Sequence, residues 1–161
     1  MLLLVSDANI LIDIEEGQLL DVLFQLPYQF VTPDILYYEE LDDQHGHLLE
    51  LGLQIMELSP SSINYVGDLV TRYRGPSTND CFALALACQE QCPLLTGDQA
   101  LRNAAIEEKL EVMGTLWLVE ELVRQGVISV EQAHQAYDAM KTAGRRLPWA
   151  TAKARLATNK Q

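Results

Sequence analysis

Three aspartates stand at points where a folded chain gathers ligands. Residues 2–6, Leu-Leu-Leu-Val-Ser, form an apolar run that ends on Asp7, and Pro93-Leu-Leu-Thr96 forms a second that ends on Gly97-Asp98. Short apolar runs suit strands buried on both faces, and open parallel sheets bind ligands beyond the carboxyl ends of such strands. Asp80 closes Ser77-Thr-Asn-Asp at the head of the apolar stretch Cys81-Phe-Ala-Leu-Ala-Leu-Ala-Cys88. Each acid also has a local use: Asp7 and Asp98 can cap the helices that follow, and Asp80 can favour a helix N-terminus by roughly 0.3–1 kcal/mol. Convergence would change the reading, because clustered carboxylates repel one another and raise some of their pKa values. A divalent cation removes that penalty. Hard oxygen ligands hold Mg²⁺ and leave coordinated waters free for attack, which is metal-assisted hydrolysis.

The elements that must position these acids follow from pattern and punctuation. After the first strand, Ala8 to Glu16 reads as a helix closed by Gly17, and Gln18 to Leu26 as a second that stops at Pro27. Tyr28-Gln-Phe-Val31 alternates as a strand, and Thr32-Pro33 supplies a cap and a first-turn proline for a helix to about Asp43 that carries Glu39 and Glu40. Leu53 to Leu58 reads as a strand, Ser59-Pro60 opens a helix to about Tyr73, and Gly75-Pro76 breaks it. The helix from Ser77 is apolar on nearly every side, which places it in the core. Another helix follows Asp98 to about Lys109, Glu111-Val-Met113 makes a last strand, and helices broken at Gly126 and around Gly144 to Pro148 occupy the rest. Strands alternating with helices predict a three-layer α/β/α sandwich around a mostly parallel sheet of four or five short strands. All 161 residues read as one domain, with a C-terminal helical extension over about 127–161.

Composition narrows the classes. A 48% hydrophobic content with 21% charged residues is that of a globular protein. The apolar start is interrupted by Asp7 and Asp13, too soon for a membrane span, so it reads as a buried strand and no membrane partner is expected. Cys81, Cys88 and Cys92 lie in one short region without a nearby histidine, which points to core packing and a reducing cytoplasm rather than disulfides or zinc. Charge is segregated. Residues 1–140 hold all 23 acids and only Arg72, Arg74, Arg102, Lys109 and Arg124, a net of −18, whereas residues 141–161 carry six basic residues and no acid. Such a body repels nucleic acid unless a cation or basic element intervenes.

Four stretches together resemble the successive motifs of PIN domains, in order: Val5-Ser-Asp7-Ala-Asn9-Ile-Leu-Ile-Asp13, Thr32-Pro-Asp-Ile-Leu-Tyr-Tyr-Glu-Glu40-Leu41, Ser77-Thr-Asn-Asp80 with its alanine-rich helix, and Leu95-Thr96-Gly-Asp98-Gln-Ala-Leu-Arg102. The resemblance covers about residues 1–125, and the tail from Gly114 through Gly126-Val-Ile-Ser resembles one bacterial and archaeal subgroup. It implies a metal-dependent endoribonuclease in which Asp7, Glu40, Asp80 and Asp98 hold one or two Mg²⁺ or Mn²⁺ ions. Glu40 is preferred to Glu39 because the family motif reads Glu-Leu there. Asn9 and Thr96 match positions that support the acids through hydrogen bonds. Asp13 is expected on a solvated face. The resemblance further implies RNA as substrate, a toxin-like role with a small antitoxin protein as partner, and a homodimer.

Hydrolysis of a phosphodiester needs a crowded negative transition state neutralised, and a metal among the acids places positive charge where the phosphate must sit. The basic tail has two readings. Arg145 and Arg146 contact RNA phosphates beside a stacking face on Trp149, or the tail pairs its cations with the acidic body while burying Leu147, Trp149 and Leu156. Other α/β enzymes fit less well: no glycine-rich turn follows the first strand, as nucleotide-binding folds require, and no lysine occurs before Lys109, as phosphoaspartyl transferases and receiver domains require. The remaining alternative is a non-catalytic PIN-like domain that acts through protein contacts.

Overall fold

A computed structural model describes residues 1–158. Five strands form one sheet in the order β3-β2-β1-β4-β5, and every neighbouring pair is parallel. The strands are β1 (Leu2–Ser6), β2 (Tyr28–Pro33), β3 (Gln54–Met56), β4 (Leu94–Leu95) and β5 (Val112–Met113). The chain builds outward from β1 to β2 and β3, then returns to the other side of β1 for β4 and β5. The strand order therefore reverses between β1 and β4, the point where parallel sheets open a crevice. Asp7 and Asp98 follow these two strands.

Helices cover the sheet as the alternation predicts: α1 (Ala8–Glu16), α2 (Leu20–Leu23), α3 (Asp34–Leu36), α4 (Asp42–His45), α5 (His47–Leu51), α6 (Pro60–Arg72), α7 (Thr78–Glu90), α8 (Gln99–Glu107), α9 (Thr115–Arg124), α10 (Val130–Thr142) and α11 (Trp149–Thr158). Central α7 buries Cys81, Ala83, Leu84, Ala85, Leu86 and Ala87 at 0% exposure. Its small residues let it lie close against the sheet while its leucines fill the core, each worth about 1.5–3 kcal/mol on burial. Cys81 and Cys92 are buried free thiols and Cys88 is half-buried, consistent with packing. Among the described residues no helix is long and apolar enough to cross a membrane.

Boundaries differ from expectation in three places. The helix expected to begin under a Thr32 cap starts at Asp34 instead. Thr32 and Pro33 remain in β2, Pro33 is the N-cap, and Asp34 Oδ1 accepts from the Ile35 amide at 2.8 Å. That helix is also interrupted by a π-helical turn at Tyr37–Leu41 before it continues as α4. Only Leu20–Leu23 of the segment 18–26 is helical, and α5, in a stretch to which the sequence pattern assigns no element, precedes β3.

The tail is built into the body. α10 packs on α1, where a side chain on Gly17 would meet Met140 Cε at 2.6 Å. α11 packs on α10, Leu156 is fully buried, and the half-buried Trp149 ring meets Tyr137 edge-on at 6.1 Å.

Candidate functional site

Asp7 is the buried centre of the carboxyl edge, at 2% exposure. It is also the N-cap of α1: Oδ1 accepts from the Ile10 amide at 3.0 Å, while Oδ2 accepts from the Thr96 hydroxyl at 2.5 Å. Thr96 in turn accepts from the Asp98 amide at 3.1 Å. One hydroxyl thus ties the end of β1 to the residue after β4 across the reversal point. Burial raises the Asp7 carboxyl from its ordinary 3.8 to about 6, against the lowering effect of the Thr96 and Ile10 hydrogen bonds, and nearby Asp80 and Asp13 push it further up. No cation offsets that burial among the described residues.

Asp80 reaches this edge as the third residue of a capping box. The Ser77 hydroxyl accepts from the Asp80 amide, and Asp80 Oδ2 accepts from the Ser77 amide, both at 3.0 Å. Its Oδ1 remains uncommitted. The loop before it is pressed onto α8, where a Cβ on Gly75 would stand 2.7 Å from that of Ala100, so the starts of α7 and α8 are held side by side. Asp98 caps α8 through Oδ2, which accepts from the Leu101 amide at 2.9 Å, and its Oδ1 has no hydrogen-bond partner among the described residues. The local capping uses read from sequence are all present, and each leaves room for a second use.

Glu39 and Glu40 are both exposed on the π turn, and both accept from the Asn79 amide, at 2.9 and 3.0 Å. Asn79, which sequence reasoning passed over as part of a cap, joins the candidate site. It links the π turn to the neighbour of Asp80 and holds the two glutamates equally, so the geometry does not single out Glu40.

Asp13 corrects the expectation of a solvated face. It is 6% exposed, accepts from the Thr115 hydroxyl at 2.7 Å, and pairs with Arg145 Nε at 2.6 Å. The same guanidinium donates from Nη2 to Asn9 Oδ1 at 3.2 Å, so the Asn9 side chain is tied to the tail. Arg145 is thereby committed to α1, Lys153 stands 3.6 Å from Asp138, and Arg155 donates to Glu120 at 3.0 Å. These contacts, with the packing of Trp149, favour the structural reading of the tail over stacking. Arg146 is exposed and makes no ion pair among the described residues, and Lys160 lies outside them. A cavity of about 430 Å³ over Asp98 is lined by Asn9, Asp13, Gly97, Arg145 and Arg146.

The donor chemistry fits a hard divalent cation: buried Asp7, and free carboxylate oxygens on Asp80 and Asp98. The spacing is open. Among the described residues no three of histidine, cysteine, aspartate or glutamate converge on one ion position. Mg²⁺ usually retains several waters and takes only one or two carboxylates directly, so an open set remains compatible with it.

The model of the family DUF3368, a PIN domain, matches residues 3–161. Among solved structures, a PilT N-terminus domain protein from the hyperthermophilic archaeon Sulfolobus solfataricus P2 is similar over 73% of this chain and 90% of its own, with 13% identity and a TM-score of 0.46. No curated protein matches the chain.

Proposed function

Because the chain belongs to the PIN domain family, whose members are generally metal-binding nucleases, we propose that it is an endoribonuclease dependent on Mg²⁺ or Mn²⁺. Asp7, Asp80 and Asp98 would hold the ion, with Glu40 or Glu39 positioned by Asn79 at the margin. The observation that carries this reading is Asp7, a carboxylate buried near Asp80 with no cation to offset it among the described residues. A protein that needed only a cap for α1 could use a serine there at far lower desolvation cost. When bound, the ion supplies positive charge for the scissile phosphate and an acidified water. Thr96 fixes the Asp7 carboxylate from one side, and the capping box aims Asp80 from the other.

Asp80→Asn tests this. The asparagine can still accept from the Ser77 amide, so the fold should persist while Mn²⁺-dependent cleavage of single-stranded RNA is lost. Unchanged cleavage in that variant removes Asp80 from the site.

A toxin-like role with a small cationic antitoxin is the finer reading. The −18 body supports it, since such a field recruits a basic partner rapidly and in a salt-dependent way. Growth arrest on expression of the chain alone tests it. A second class of reading, a non-catalytic protein-binding domain, is favoured by the open spacing of the carboxylates. Calorimetry separates the two: a nuclease binds Mn²⁺ through Asp80, and a scaffold does not.

A further inference from the structure

Beside the acidic edge a second cavity, of about 340 Å³, is lined by Thr96, Arg102, Gly114, Thr115, Trp117 and Arg146 among others. It shares Gly97, Arg146 and Leu147 with the cavity over Asp98, so the two adjoin. Elsewhere in the acidic body Arg72 pairs with Glu108 and Arg124 with Glu120 and Glu121, while Arg74 is exposed and lines neither cavity. Arg155, which also lines this cavity, is committed to Glu120. Arg102 and Arg146 differ. Neither makes an ion pair among the described residues, although acids outnumber bases two to one in the chain. Two guanidinium groups without an ion pair among the described residues therefore line one cavity beside the acidic edge. Their planar forked donors match phosphate oxygens. The first turn of α9 opens on the same cavity without a capping side chain on Gly114, and adds partial charge of the same sign.

We propose that this groove holds a backbone phosphate of the RNA strand flanking the acidic site, gripped by Arg102 and Arg146, and so sets how the strand lies across Asp98. The proposal rests on the nuclease reading of that site for its choice of ligand. It assigns Arg102, which follows Asp98 by one helical turn, to substrate positioning, and it separates Arg146 from Arg145, whose guanidinium is held by Asp13.

The test is equilibrium binding of a labelled single-stranded RNA oligonucleotide to the full chain in EDTA, over a series of KCl concentrations. Wild type is compared with Arg102→Gln/Arg146→Gln and with Arg74→Gln/Lys109→Gln, which removes the same charge from exposed positions that make no ion pair among the described residues. The groove variant should bind about tenfold more weakly, and its log affinity against log salt should be shallower by about 1.4, for two lost contacts to a single strand. Its Mn²⁺ affinity by calorimetry should be unchanged, and the control variant should stay near wild type. Equal losses in the two variants, or a groove variant that binds as wild type does, or no RNA binding by wild type at low salt, overturns the groove. Retained Mn²⁺-dependent cleavage would leave the nuclease reading standing in those cases. Groove-dependent binding without cleavage in Mn²⁺ has the opposite meaning, supporting the groove and sinking the nuclease.

Discussion

Asp7→Asn should make the metal-free protein more stable at pH 8 and less stable at pH 4. The carboxyl of Asp7 is raised from 3.8 to about 6 in the folded chain, mainly by burial. Folding therefore favours the protonated form, and the sign follows: this stabilising preference is fully present below about pH 4 and is lost as pH rises through about 6. The gap corresponds to about 3 kcal/mol once the group is ionised. Asparagine carries no charge to bury and keeps the Ile10 hydrogen bond, but its amide nitrogen faces the Thr96 hydroxyl, which already accepts from the Asp98 amide. Turning that hydroxyl costs about 1 kcal/mol. The net is a gain of about 2 kcal/mol at pH 8 and a loss of about 1 at pH 4, with the two curves crossing in between. For a chain of this size the gain is roughly 4–8 °C in melting temperature. Calorimetric melts in EDTA from pH 4 to 8 measure it. Saturating Mn²⁺ should reverse the order at pH 8, since ion at 100 times its Kd adds about 2.7 kcal/mol to wild type alone. A variant that melts below wild type at pH 8 in EDTA would refute the claim that Asp7 is held at a cost.

Two further substitutions probe the supports of the site. Thr96→Val removes the donor that lowers the Asp7 carboxyl, so the pH midpoint for Mn²⁺ binding by calorimetry should move above its wild-type value; an unmoved midpoint would show that this bond does not tune the site. Arg145→Ala strands the buried Asp13 carboxylate and should cost about 3 kcal/mol in urea melts, with most of it recovered by adding Asp13→Asn and RNA affinity unaltered throughout. Weakened RNA binding with unchanged stability would place Arg145 on the substrate instead.

What the sequence made legible was local. Asp7 and Asp98 stand out because an apolar strand ends at each, and Ser77 with Asp80 carries its capping box in residues three apart. The contacts that were missed span the chain. Asp13 meets Thr115 and Arg145 at separations of 102 and 132 residues, and a position on a helix does not reveal which face a distant tail will cover. Asn79 reaches Glu39 and Glu40 across 40 and 39 residues for the same reason. The π turn that displays those glutamates inserts a residue into a helix without any change in composition, so propensity could not announce it. Thr32-Pro33 failed differently: its capping chemistry was read correctly as a type, but pairing of Val31, Thr32 and Pro33 with β3 held the segment in the sheet.

The position of β1 has a consequence for how the protein is made. β1 lies at the middle of the sheet, yet one of its two neighbours, β4, follows it by some 90 residues. At ribosomal speeds that interval is on the order of 10 s. Throughout it, a nascent chain with β1 and β2 already paired would present the unpaired edge of Leu-Leu-Leu-Val to its surroundings, the kind of edge that recruits foreign strands. The same delay keeps Asp7 without Thr96 and apart from Asp98, so no chain that stops short of β4 carries the assembled edge. The topology therefore leaves the nascent chain with an open strand edge and an unassembled acidic edge together, and both conditions end when residues 94–98 arrive.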